Sequence, residues 1–84
     1  MNVIEVFKTD VTTLTDAGKI IELLRQHFPD TRINFDLHDC DKILRLEGKD
    51  FSADKVRMLV HQRGFYCEVL EYIQVLNNFF NKHL

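Results

Sequence analysis

The 84 residues predict one α+β domain with the element order β-α-β-β-α-β. Three observations carry this expectation: short runs rich in β-branched and aromatic residues, two apolar stripes at helical spacing, and one strictly alternating segment between them. VIEVFK, Val3 to Lys8, is the first strand. From Asp16, the residues Ala17, Ile20, Ile21, Leu24 and Phe28 fall on one stripe of a helix, with Lys19, Glu22, Arg25 and Gln26 outward. Thr15 or Thr13 supplies its N-cap, Asp16 suits the positive end of its dipole, and Pro29 with Asp30 ends it.

RINFDL, Arg32 to Leu37, alternates Ile33, Phe35 and Leu37 against Arg32, Asn34 and Asp36, the pattern of a half-buried strand. The polar HDCDK, His38 to Lys42, turns the chain into ILRLE, Ile43 to Glu47, so the two strands form a hairpin. Ser52 caps a second helix with Val56, Leu59 and Val60 inward, and Gly64 is a natural residue just past its end. FYCEVL, Phe65 to Leu70, closes the series as a fourth strand, with Phe65, Cys67 and Val69 inward. Right-handed crossovers and short connections reduce the topologies to the ferredoxin-like split βαβ. The expected fold is therefore an antiparallel sheet of order 4-1-3-2 with both helices on one face, plus a C-terminal amphipathic helix. Residues 1–70 form the domain, and residues 71–84 form the helix, packing on the sheet or on a partner. The Asp10 to Thr15 loop, the His38 to Lys42 hairpin and Gly64 are expected at one end.

A chain of this length buries about 60–65% of the surface it exposes when unfolded, so a second core has no room. Lys and Arg number 11 against 13 Asp and Glu, with the signs interspersed, which is no footprint for a phosphate backbone. Nucleic acid is thus not an expected partner. No stretch approaches the roughly 18 apolar residues of a membrane span, and the amino terminus lacks a basic leader with an apolar run. Two cysteines far apart suit a reducing compartment, and the expected location is the cytoplasm.

The element order, the late Gly64-Phe65 step and the length from Val3 to Leu70 resemble the heavy-metal-associated domain family, the fold of copper chaperones. On that resemblance VTTLTD, Val11 to Asp16, stands where the family has Met-x-Cys-x-x-Cys: Val11 replaces the Met, Thr13 the first Cys and Asp16 the second. A hydroxyl and a carboxylate cannot replace paired thiolates around a soft ion. The chain therefore reads as a degenerate member without the metal loop, and the resemblance transfers the fold rather than metal binding.

The alternative metal site is HDCD, where His38, Cys40 and Asp41 offer an imidazole, a thiol and a carboxylate. Hairpin turns favour Asp for backbone reasons, so these residues are candidate ligands only and no metal is expected. Cys67 is read as a core residue. No phosphate loop, metalloprotease pair or nucleophile elbow occurs, so no catalytic residue, no cofactor and no enzyme activity are expected.

YIQVLNNFFNKHL, Tyr72 to Leu84, has no acidic residue, and its apolar residues fall on half of a helical wheel. With Ile4 and Val6 turned to the helices, Val3, Glu5 and Phe7 would lie on the open sheet face with Ile43, Arg45, Tyr66 and Leu70. The expected interaction surface is Phe7, Ile43, Tyr66, Leu70, Ile73, Leu76, Phe79 and Phe80, covered by the tail itself, by a second copy or by another protein. A non-catalytic binding or assembly module is the leading expectation. A metal chaperone or sensor at His38 and Cys40, or a small-molecule regulatory domain, is the alternative.

Overall fold

In the computed structural model, which describes residues 2–70, six elements follow one another. They are β1 (Val3–Thr9), α1 (Leu14–His27), β2 (Arg32–Asp36), β3 (Ile43–Gly48), α2 (Ala53–Gln62) and β4 (Cys67–Val69). Helix α1 begins where the Thr13 Oγ1 accepts the Asp16 N–H at 3.1 Å, so Thr13 rather than Thr15 is the cap. It closes with the Phe28 N–H on the Leu24 carbonyl, immediately before Pro29. Helix α2 starts on Ser52, whose Oγ accepts the Lys55 N–H. Gly64 follows its last turn at φ +88, a left-handed conformation that a side chain would strain.

All strand pairs are antiparallel, and the sheet order is β2-β3-β1-β4, which read from the other edge is 4-1-3-2. Across β1 and β3, Phe7 faces Leu44 and Glu5 faces Leu46; across β2 and β3, Ile33 faces Leu46 and Phe35 faces Leu44. Phe7, Leu44 and Leu46 are fully buried and join Ile20, Leu24, Val56, Val60 and Cys67 in one core. Both helices therefore cover the same sheet face. This small α+β fold with its antiparallel sheet is consistent with a ferredoxin-like arrangement.

Two expectations are corrected. The face of β1 is inverted: Phe7 is 0% exposed, whereas Ile4 is 52% exposed. VIEVFK carries apolar residues at both parities, so alternation alone does not choose a face. Phe7 lies opposite Leu44 and joins the core beneath the helices, and Thr9 follows it in phase, which leaves Ile4 and Val6 on the other face. Phe7 is accordingly removed from the interaction surface. The second concerns the C-terminal amphipathic helix: among the described residues the structure has two helices, α1 and α2, and residues 71–84 lie outside those described.

Phe7→Ala should destabilise the domain by about 3–5 kcal/mol, as removal of a packed aromatic does, and Ile4→Ala by less than about 1 kcal/mol. Urea unfolding of the two variants checks this, and equal losses would reverse the assignment of faces.

Candidate functional site

Two regions collect the residues singled out in the sequence: the loop end of the sheet and its open face. At the loop end, Thr9 lies at the same parity as Phe7 and is 4% exposed. Its hydroxyl donates to the Lys42 carbonyl at 2.6 Å and accepts the Val11 N–H at 3.2 Å, while its backbone N–H donates to the Asp41 carbonyl. One threonine thus ties the end of β1 to the β2–β3 hairpin and to the loop before α1. Asp10 makes a second tie, its carboxylate accepting the Tyr66 N–H at 2.8 Å just before β4. Neither joint was singled out in the sequence. The signal for Thr9 was its phase with Phe7, legible only once that face is known.

Val11, opposite the Met of the metal-loop pattern, is fully buried, and Thr13 is used as a helix cap. This stretch is thus structural on both counts. In the hairpin, the Asp36 and Asp39 carboxylates accept the N–H groups of His38 and Asp41, and the Lys42 ammonium donates to the Leu37 carbonyl. Lys42 sits at φ +45, held by its N–H on the Asp39 carbonyl and by the Thr9 hydroxyl on its own. The polar residues of HDCDK therefore build the turn.

Of the metal candidates, Cys40 and Asp41 come together with Asp39, their donor atoms within 4.8 Å of one another; His38 is outside that group. Asp39 is bonded to the Asp41 N–H, and Asp41 lies 3.6 Å from the Lys8 ammonium. A cation would have to displace those contacts and would gain a single thiol. Cys67 is buried whereas Cys40 is exposed, and burial pushes the Cys67 thiol up to about 12, so it stays protonated and unreactive. The His61 Nε2 lies 3.0 Å from the Cys67 carbonyl, a bond that requires the proton on Nε2.

On the open face lie Ile4, Val6, Lys8, Arg45, Glu47 and Glu68, by the register that sets Ile4 opposite Glu47, Val6 opposite Arg45 and Lys8 opposite Glu68. Arg45 and Glu47 pair at 3.2 Å. Ile43 and Leu70 are half-buried, and Tyr66 is 43% exposed. Hydrogen bonding to the Glu68 carboxylate, together with desolvation, raises the Tyr66 phenol above its ordinary range. Of the expected surface, Ile43, Tyr66 and Leu70 are thus at least partly accessible. Ile73, Leu76, Phe79 and Phe80 lie outside the described residues. Ile4 and Val6 are the surface residues that the sequence reading assigned to the core.

An open groove of about 590 Å³ lies at the far end, lined by the α1 terminus and by Arg32, Glu47, Lys49 and Asp50. Its lining charges are mixed in sign. In comparisons with known proteins, no family model, no curated protein and no solved structure matches the chain. Among the described residues no helix is long and apolar enough to cross a membrane.

Thr9→Val keeps the side-chain volume and leaves the Lys42 carbonyl and Val11 N–H short of a partner, so it should cost about 1–3 kcal/mol. Thr12→Val, at an exposed position, should stay within about 0.5 kcal/mol. Thermal unfolding of both variants checks the difference. Cobalt added at one equivalent should give no thiolate charge-transfer absorption. A band that appears at stoichiometric metal and disappears in Cys40→Ser would place a metal site at the hairpin.

Proposed function

We propose that this chain is a small non-catalytic binding module whose contact surface is the open face of its sheet. One observation carries the reading: Ile4, on an interior strand of the sheet, is half-exposed, and Val6 and Leu70 beside it are only half-buried. An apolar centre on a sheet face, framed by paired charges such as Arg45 and Glu47, is the make-up of a protein contact. The element order still resembles the heavy-metal-associated pattern. The loop that would hold metal there is spent here on capping α1 and anchoring Val11, which favours a binding role over metal transfer.

A photo-cross-linking residue at position 4 of the full chain, compared with one at Lys19 on the outer side of α1, tests the surface in cells. The expected result is a discrete adduct from position 4 and none from position 19. Adducts from position 19 alone, or from neither, would remove the open face as the contact surface.

A further inference from the structure

The sheet order puts β2 at an edge, bonded to β3 on one side, and among the described residues no strand pairs with its other side. Every second backbone N–H and C=O of β2 therefore points outward as a template for another strand. Its five residues, RINFD, contain neither proline nor lysine and run against β3 in unbroken register, so these edge-blunting devices are absent. Arg32, Asn34 and Asp36 are exposed and share the open face, while Ile33 is buried and Phe35 half-buried on the core face.

That order of residues is complementary to itself. In an antiparallel pair of two such strands centred on Asn34, Arg32 of each copy stands opposite Asp36 of the other, and Ile33 stands opposite Phe35. Neighbouring registers lose the match: centring on Ile33 sets Arg32 opposite Asn34, and centring on Phe35 sets Asp36 opposite Asn34. A slip of one residue brings the charged side of one strand against the apolar side of the other, and parallel pairing in register sets arginine beside arginine. Neither Arg32 nor Asp36 has an ion-pair partner among the described residues. The opposite edge lacks this property, because β4 paired with itself about Glu68 sets two carboxylates face to face.

We propose that a second copy of this chain docks along β2, antiparallel and centred on Asn34, giving one sheet of eight strands, four from each copy. The two-fold axis stands normal to the sheet, so the helices of both copies lie on one side and the two open faces join on the other. Ile33 of one copy then extends the core face beside the half-buried Phe35 of its neighbour. The inference goes beyond the binding-module reading and does not depend on it, since the edge and the open face are different surfaces.

The solution mass of the full chain, followed by light scattering over a range of concentrations up to about 1 mM, tests it. The native chain should approach twice 10.0 kDa as concentration rises. Arg32→Asp, and separately Asp36→Arg, should weaken the dimer at least about tenfold, because each sets like charges across both ends of the pair. The double variant carrying both changes should restore it, and so should an equimolar mixture of the two single variants, in which opposite signs meet again at both ends. Lys19→Asp, the same charge change at an exposed position of α1, should leave the mass unchanged, and its comparison with Arg32→Asp keeps the test valid should Asp36→Arg fail to fold. A monomer at every concentration would overturn the proposal. So would a dimer that either single variant leaves intact, or one that neither the double variant nor the mixture restores.

Discussion

The parity of β1 is the constraint on which the remaining arrangement depends. Side chains of a strand alternate between faces, so placing Phe7 in the core places Thr9 there as well and commits Ile4, Val6 and Lys8 to the other side. Every neighbour is then fixed by register. Leu44 and Leu46 meet Phe7 and Glu5 beneath the helices, while Arg45 and Glu47 lie with Val6 and Ile4 on the open face. A shift of one residue would exchange the two sets and expose the largest side chain of the core.

Thr9 turns that parity into the geometry of the loop end. Buried, its hydroxyl must find partners, and it finds the Lys42 carbonyl and the Val11 N–H. The hairpin is held in place by the same residue that ends β1, and its aspartates complete the turn from within. A polar cluster of this kind, read from composition, suggests ligands. Read from its hydrogen bonds, it is the scaffold of a tight connection.

Much of the fold was legible in the sequence because local rules agree there. Helical spacing placed Ala17, Ile20 and Leu24 of α1 and Val56, Leu59 and Val60 of α2 in the core, where they are buried. Ser52 and Gly64 marked the ends of α2 by capping and left-handed preference. Alternation placed Ile33 and Leu46 inward. The candidate surface was less legible: Phe7 was assigned to it and Ile4 to the core, because both parities of VIEVFK are apolar and the choice needs the cross-strand partners.

By itself, the sequence determined the order and type of the six described elements, the ends of α2 and the lack of a paired-thiolate loop at Val11 to Asp16, since each is written in neighbouring residues. Only the tertiary structure decided which face of β1 is buried, that Thr9 and Asp10 join the loops, and that Ile4 and Val6 lie on the open face. Those properties belong to pairs of residues far apart in the chain, and their energies exist only when a second strand or loop is in place to supply the contact.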